Sequence, residues 1–186
     1  MIVEFNMVCD LTASNPIEAN DSAAFTGPTI AVNSSDGLYP FLGECSLINL
    51  ADNNSDNDIS SAQIKEKLLN ISRSIEEVIE KYQSRIIQPK RVLIKTKAAQ
   101  SFKNGRFLSR EALQFICQSD ILLAGIDMPS LTSEGLEADM QQLGSLSLLA
   151  NLNLSNLDEG YLYKLLAQPL SNESKQVLPV RPILLG

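Results

Sequence analysis

The side chains of this chain that are best suited to chemistry are carboxylates. Asp10 and Glu18 lie close together near the start, and Asp139 lies far along the chain. Carboxylate oxygens are ligands that Mg²⁺, Mn²⁺ and Ca²⁺ accept, so a divalent-metal site built from these three acids is one interpretation. The favoured interpretation is that all three are solvated surface acids.

Histidine, the residue most often used for such chemistry, does not occur in the chain. Imidazole is the commonest neutral metal ligand and the usual proton shuttle near neutral pH. Any reaction that depends on a histidine ligand or a histidine base is therefore excluded by composition alone.

The thiols offer a further candidate nucleophile. Cys9, Cys45 and Cys117 are widely spaced and odd in number, which favours buried, inert thiols in a reducing compartment over a disulfide framework. Cys9 lies beside Asp10, but a lysine or a helix N-terminus would have to lower its pKa because no histidine exists to act as base. Cysteine-based catalysis is therefore the weakest of these hypotheses.

Length and composition indicate one ordinary soluble domain over residues 1–186. Its 186 residues are 44% hydrophobic and 20% charged, typical of a globular protein with a sizeable core. The net charge of −7 argues against nucleic-acid binding, which needs a basic face. The apolar start lacks a basic region and is broken by Glu4 and Asn6, so we expect no membrane span, no signal peptide and a cytoplasmic location.

The clearest predicted element is a long helix from Ser60 to Ile86. Ser60 and Gln63 have the spacing of a capping box, and apolar residues then recur every three or four positions. The opposite face is charged. We expect this helix to pack on a sheet through its apolar stripe.

Apolar runs predict the strands. They are expected near residues 2–7, 29–32, 46–50, 92–96, 121–126, 146–154, 161–167 and 181–185, with a second helix from Ser109 to Cys117. The run at 121–126 is continuously apolar, as in strands that are covered on both faces. Strands that alternate in part with helices predict an α/β domain with a mixed sheet or open barrel and outer helices.

Four motifs in the C-terminal half occur in an order that resembles the cyclase and kynurenine formamidase family of metal-dependent hydrolases. Residues 125–130 read GIDMPS, where the family has GIDTPS, and residues 150–154 read ANLNL, where it has ENLxL. Residues 165–170 read LLAQPL and residues 178–184 read LPVRPIL, which resemble LIALPL and SPVRAVL. The resemblance implies a swivelling β/β/α-type domain.

The family's metal motif, HxGTHxDxPxH, is degenerate in this chain. Only residues 8–18 fit its place, with Pro16 as the anchor. A further family histidine aligns near Asp139 in a helix after GIDMPS, and the glutamate of ENL aligns with position 150. The resemblance thus implies these vestigial metal-site positions: Val8, Thr12, Ser14, Glu18, Asp139 and Ala150.

What the resemblance implies for function follows from these losses. The family cleaves C–N bonds at a metal site, as an arylformamidase does, and such a site needs about three protein ligands and a base. We therefore expect a pseudoenzyme that binds no metal and acts as a binding or scaffold subunit. The alternative is a divergent amide or lactam hydrolase with a divalent metal held by Asp10, Glu18 and Asp139.

Further expectations concern partners and structural residues. We expect a homo-oligomer or a complex with an active paralogue, with a small molecule in the vestigial pocket as an open alternative. Compared with the family, the start of the chain resembles a shortened version. Asp127 and Ser130 are expected to order a turn around Pro129, with contact to a ligand as the minor alternative, and Arg181 is expected to pair with an acid.

Overall fold

A computed structural model describes residues 7–12, 28–31, 41–51, 58–82, 89–96, 106–159, 162–169 and 177–185. These residues form eight strands and three helices. In chain order they are β1 Met7–Asp10, β2 Thr29–Ala31, β3 Leu42–Asn49, α1 Ser61–Tyr82, β4 Arg91–Lys95, α2 Arg110–Gln118, β5 Leu123–Ile126, α3 Leu136–Gln142, β6 Ser147–Ala150, β7 Leu162–Pro169 and β8 Val177–Leu185.

The strands form one mixed, curled sheet. β3, β4, β5 and β6 are parallel neighbours in that order, and α1, α2 and α3 lie between them along the chain. The remaining pairings are antiparallel: β7 joins β3, β8 joins β1, β2 and β7, and β2 joins β6. The predicted α/β class, with a mixed sheet or open barrel and outer helices, is confirmed.

The parallel strands bury both faces. In β4, Val92 and Ile94 belong to a core cluster shared with the three helices, whereas Leu93 belongs to a second cluster on the other face. Side chains alternate between the two faces of a strand, so each parallel strand contributes to both clusters. We call these the outer cluster, beneath the helices, and the inner cluster, inside the curl of the sheet.

Both predicted helix starts are confirmed. The backbone N–H of Ser60 donates to the Gln63 side chain at 2.9 Å, and the Gln63 N–H donates back to the Ser60 hydroxyl oxygen at 3.4 Å. At α2, the Ser109 hydroxyl oxygen accepts from the Ala112 N–H at 3.2 Å. These contacts satisfy backbone donors that have no partner within the helix. The long helix is described to Tyr82, and its predicted continuation to Ile86 lies outside the described residues.

Several predicted strand limits were wrong. The strand predicted over 146–154 ends at Ala150, because Asn151 adopts a left-handed conformation with φ of 59° that an extended strand does not allow. A strand at Met7–Asp10 overlaps the predicted strand at 2–7 only at its end, and residues 2–6 of that prediction lie outside the described part. The last strand begins at Val177, four residues before the predicted start at Arg181. None of the helices among the described residues has the length and hydropathy of a membrane span.

Gly125 packs closely against leucines of the inner cluster. A Cβ atom built on Gly125 would lie 2.4 Å from Leu93 Cδ2 and 2.9 Å from Leu152 Cδ1. A side chain at this position of β5 would therefore force Leu93 and Leu152 to shift.

We expect Gly125→Ala to lower the free energy of unfolding by about 1–3 kcal/mol, because an added methyl group would overpack the core. Urea unfolding of Gly125→Ala, Leu93→Val and the double variant would measure this. The double variant should lose less stability than the sum of the two, because valine withdraws the clashing methyl group. Strict additivity would show that the Leu93 contact is not responsible.

Candidate functional site

The carboxyl ends of the four parallel strands form the edge of the sheet at which open α/β folds bind their ligands. Asn49, Thr96, Asp127 and Asn151 lie at or directly after the ends of β3, β4, β5 and β6. Polar residues thus appear where the apolar strands stop. We call this the carboxyl edge, and the candidate site is built there.

Asp127 is the most perturbed acid of the carboxyl edge. It is only 4% exposed, and its carboxylate accepts from the Thr96 backbone N–H at 2.9 Å and from the Thr96 hydroxyl at 2.8 Å. Burial raises the pKa of Asp127 to about 6, although the hydrogen bonds from Thr96 oppose this shift. The side chain therefore joins the ends of two neighbouring strands.

Asp127 and Ser130, the two side chains expected at the turn around Pro129, make contacts with different parts of the chain. Asp127 was expected to order the turn around Pro129, but its carboxylate reaches back to the end of β4 because Thr96 offers two donors there. Ser130 does serve the turn: its hydroxyl donates to the carbonyl oxygen of Thr132 at 2.8 Å. Both side chains are buried in contacts with the protein itself.

Asp139 is not the solvated acid that was expected. It has 0% exposure on α3, where its carboxylate accepts from the Leu131 N–H at 2.6 Å and from the N–H and hydroxyl of Thr132. The loop after β5 turns these donors toward the helix, and they replace water as partners of the carboxylate. Burial raises the pKa of Asp139, with the Thr132 and Leu131 hydrogen bonds acting in the opposite direction.

Asp10 and Arg181 form the ion pair that was predicted for the arginine. Arg181 donates from Nη2 and Nε to Asp10 Oδ2 at 2.9 and 3.1 Å. The hydroxyl and backbone N–H of Thr12 donate to the other carboxylate oxygen. The Thr12 hydrogen bonds, followed by Arg181, lower the pKa of Asp10. This acid holds β1 to β8.

The structure brings part of the degenerate metal motif to the carboxyl edge. After β1, the Leu11 N–H donates to the Pro182 carbonyl oxygen at 3.0 Å, and the Leu11 carbonyl oxygen accepts from the Asn153 N–H at 2.9 Å. Thr12 follows at once, and Ala150 lies three residues before Asn153. Val8 lies within β1, whereas Ser14 and Glu18 lie outside the described residues.

The described residues at these positions do not supply the ligand set of a metal centre of the family's type. Valine and alanine side chains have no atom that can bind a metal, and both carboxylate oxygens of Asp139 accept hydrogen bonds from the loop after β5. Asp10 accepts hydrogen bonds from Thr12, two residues further along the chain, and from Arg181 of β8. Within the ranges that the structure describes, no three His, Cys, Asp or Glu side chains gather closely enough to hold an ion.

The segment 151–159, which lies over the carboxyl edge, was missed by the sequence analysis. Lys95 Nζ donates to the carbonyl oxygens of Ser155 and Leu157, both at 2.8 Å. Glu159 pairs with Lys67 of α1 at 2.8 Å and accepts from the Asn49 N–H. These contacts join residues up to 110 positions apart, and no local motif signals them.

Leucines anchor the same segment from below. Leu152, Leu154 and Leu157 are 0–4% exposed and belong to the inner cluster, together with Leu11 from the end of β1. The interior beneath the carboxyl edge is therefore lined by apolar side chains at these positions. Carbonyl oxygens and Glu159 of the segment bind residues on the outside of the sheet, and its leucines pack in the inner cluster.

Two of the three thiols are described. Cys45 is buried in the inner cluster, and burial raises its pKa to about 12, which suppresses the reactive thiolate. Cys117 is partly buried, and burial followed by the charge of Asp139 raises its pKa. Both fit the predicted inert thiols. The side chain of Cys9 lies outside the described part of the chain, so its reactivity stays a prediction.

Comparison with known proteins gives a shared fold. No protein-family model matches the sequence, and no curated protein matches it. Among solved structures, a predicted metal-dependent hydrolase from Bacillus stearothermophilus aligns with a TM-score of 0.67 at 18% identity, covering 95% of this chain and 97% of that one. A potential metal-dependent hydrolase with cyclase activity aligns equally well, with 96% of its chain covered. An isatin hydrolase bound to thioisatinate gives 0.56 at 13% identity, over 95% and 80% of the chains.

Asp127 should make stability depend on pH in the mildly acidic range. Its folded-state pKa of about 6 exceeds the ordinary value of 3.8, so the folded state binds the proton more tightly. Stability should therefore fall as pH rises from 3.8 to about 6, by up to about 3 kcal/mol. We expect Asp127→Asn to remove this dependence, as measured by urea unfolding at several pH values.

The informative quantity is the difference between the two proteins at each pH. Asp10 and Asp139 are present in both, so their titrations cancel. A constant offset is expected because asparagine cannot accept both hydrogen bonds from Thr96. If the difference does not change between pH 4 and 6, Asp127 does not carry a raised pKa.

Asp139→Ala should destabilise the protein by roughly 2–4 kcal/mol, because buried donors of Leu131 and Thr132 lose their acceptor. Chemical unfolding measures the loss. Glu137→Ala is the matched control on the exposed face of the same helix and should cost less than about 0.5 kcal/mol. Equal losses in both variants would contradict the structural role of Asp139.

Proposed function

We propose that this protein is a catalytically inactive homologue of the cyclase and kynurenine formamidase-like hydrolases, and that it acts as a binding or scaffold subunit. Two lines support the family part of this proposal: the fold that the chain shares with metal-dependent hydrolases, and the order of its sequence motifs.

The observation that carries the proposal is that the described acids of the candidate site accept hydrogen bonds from the protein itself. Asp10, Asp127 and Asp139 all accept hydrogen bonds from the protein's own residues: from Thr12 and Arg181, from Thr96, and from Leu131 and Thr132. A catalytic metal needs ligands with free lone pairs and an open position for water. Carboxylates that accept hydrogen bonds from backbone and side-chain donors stabilise the fold instead of binding an ion.

Composition adds a second line of support. With no histidine in the chain, neither a metal-bound imidazole nor an imidazole base is available. The titrating group nearest neutral pH at the carboxyl edge is Asp127, and its two oxygens face Thr96. A general base must reach the proton that it removes, and Asp127 is turned toward β4 instead.

The apolar filling beneath the carboxyl edge is a third line of support. Leu11, Leu152 and Leu157 occupy the inner cluster where the covering segment lies. The segment is held outside by Lys95 and Glu159. A polar substrate would have to displace these contacts before it reached the inside of the sheet.

The proposal includes partners and location. A scaffold subunit acts through contacts with a second copy or with an active paralogue, and a small molecule in the vestigial pocket is the further option. We also propose a cytoplasmic location, on the basis of three widely spaced cysteines without a disulfide-type spacing.

Metal analysis is the experiment that tests the proposed function. We expect the purified protein to contain substoichiometric metal by elemental analysis and to show no thermal shift with Mg²⁺, Mn²⁺, Ca²⁺ or Zn²⁺. An ion present at a hundred times its Kd would stabilise the protein by about 2.7 kcal/mol. For a domain of this size, that corresponds to a shift of roughly 5–10 °C, which is easily measured.

Variants distinguish specific from adventitious binding. Glu18→Ala removes the carboxylate of the motif, and Glu77→Ala, on the exposed face of α1, is the matched control. A stoichiometric ion whose stabilising effect is lost in Glu18→Ala and kept in Glu77→Ala would contradict the proposal. It would favour the divergent amide or lactam hydrolase, and assays on those substrates would follow.

A further inference from the structure

A cleft of about 250 Å³ lies between α1 and the amino ends of β4 and β5, at the opposite end of the parallel strands from the carboxyl edge. Ser46 of β3 and Val92 of β4 are opposite each other in the strand register, and both line it. Leu68 and Ile71 of α1 and Ile121, two residues before β5, contribute further apolar surface. We call this cavity the α1 cleft.

The cleft exists because a small residue occupies an outward-facing position of β3. Cys45 and Leu47 belong to the inner cluster, so Ser46 between them points outward, toward α1. Ile48, the next outward-facing residue of β3, fills its place in the outer cluster. A serine side chain is much smaller than isoleucine, so space remains between the sheet and α1 at position 46.

The hydroxyl group of Ser46 is the feature that points to a ligand. Ser46 is only 4% exposed, and within the described ranges no hydrogen bond engages its hydroxyl. A buried polar group without a partner is costly, so this hydroxyl favours an occupant that offers a hydrogen-bonding group. Ser72 of α1 brings a second hydroxyl to the same cleft.

The charges at the cleft favour a neutral occupant. Of the described residues that line it, only Lys90 and Asp120 are charged, and Lys90 Nζ lies 2.6 Å from Asp120 Oδ2. Their side chains are 41% and 82% exposed, so this ion pair lies at the mouth. A charged ligand inside the cleft would lose its hydration without gaining a counter-charge.

The volume sets the size of the occupant. An apolar cavity of about 150 Å³ holds benzene, so the α1 cleft has room for a ring with one or two small substituents, about ten non-hydrogen atoms. One water molecule takes up only about 30 Å³, and the apolar walls would give a group of waters few hydrogen-bond partners. An organic ligand matches these walls better.

We propose that the α1 cleft binds a small neutral molecule that has an apolar ring and one hydroxyl or carbonyl group. The polar group of the ligand forms a hydrogen bond with the Ser46 hydroxyl. The ring packs against Leu68, Ile71 and Val92. Such a ligand contacts α1, β3 and β4 together, and it therefore stabilises the packing of α1 on the sheet.

This site goes beyond the proposed scaffold role. It shares no residue with the carboxyl edge, and binding is measured without any assay of activity or metal content. If the protein proves to hold a metal ion, the cleft is still expected to bind its ligand. If the cleft binds nothing, the metal experiments keep their meaning.

A nuclear magnetic resonance titration of the ¹⁵N-labelled full chain with p-cresol tests the proposal. We expect saturable shifts of the amide signals around Ser46, Ser72 and Ile121, with a Kd of about 1 mM or tighter. p-Xylene has the same size but no hydroxyl group. Comparing the two probes isolates the contribution of the hydrogen bond.

Ser46→Ala should weaken p-cresol binding by about threefold to tenfold, the factor expected for one hydrogen bond, and should not weaken p-xylene binding. The matched control is Ser147→Ala, which also removes a hydroxyl that is buried in a strand. Ser147 lies between Leu146 and Leu148 of the outer cluster, so it points to the other face of the sheet. The p-cresol Kd of this control should equal that of the unaltered protein.

A cavity-filling variant tests the location independently of the hydroxyl of Ser46. Ser72→Leu places an apolar side chain in the cleft and should weaken p-cresol binding by about tenfold or more. Ser74→Leu makes the same change at an exposed position of α1 and should leave the Kd unchanged. Leucine favours helix formation, so we expect both variants to fold.

Three results would overturn the proposal. One is the absence of saturable shifts around the cleft at p-cresol concentrations up to about 10 mM, roughly ten times the expected Kd. Another is a p-cresol Kd that Ser46→Ala and Ser72→Leu leave unchanged, which would place the binding elsewhere. The third is equal weakening of p-cresol and p-xylene binding by Ser46→Ala, which would show that no hydrogen bond to Ser46 forms.

Discussion

The pairing of β8 with β1, β2 and β7 is the constraint on which the rest of the structure depends. β8 contributes Val177–Leu185, and through it strands from the two ends of the chain join the parallel strands of the middle. These pairings close the curl of the sheet, so one face becomes an interior that the inner cluster fills. Without them, β1 would have no place beside the segment after β6.

The candidate site is a consequence of that closure. The end of β1 meets Asn153 only because β8 holds β1, by backbone pairing and by the Arg181–Asp10 ion pair. At the same edge, Asp127 joins β5 to β4 and Lys95 holds the covering segment. Exposed ion pairs contribute little stability on their own, so their main effect here is to set position. Each polar group at the edge has thereby acquired a structural partner.

The buried acids of the described residues serve the structure of the protein. A buried carboxylate without partners would cost several kcal/mol, so a buried acid that binds no ion is stable only when protein donors serve it. Asp139 has such donors in the N–H groups of Leu131 and Thr132. In the segment 151–159, apolar contacts have the stabilising role instead, because its leucines pack in the inner cluster beneath it.

The sequence alone determined the features that depend on residues close together in the chain. The capping contacts of Ser60 and Ser109 depend on residues three positions apart, and the continuous apolar run of β5 reflects burial on both faces, so both were predictable. The absence of histidine likewise excluded its chemistry before any fold was known. Tertiary structure decided the rest: the burial of Asp139, the reach of Asp127 to Thr96 and the end of β6 at Ala150. The two carboxylates depend on donors 7 and 31 residues away, and the end of β6 depends on the left-handed backbone of Asn151. Strand pairing brings these groups together, and no spacing in the sequence predicts it.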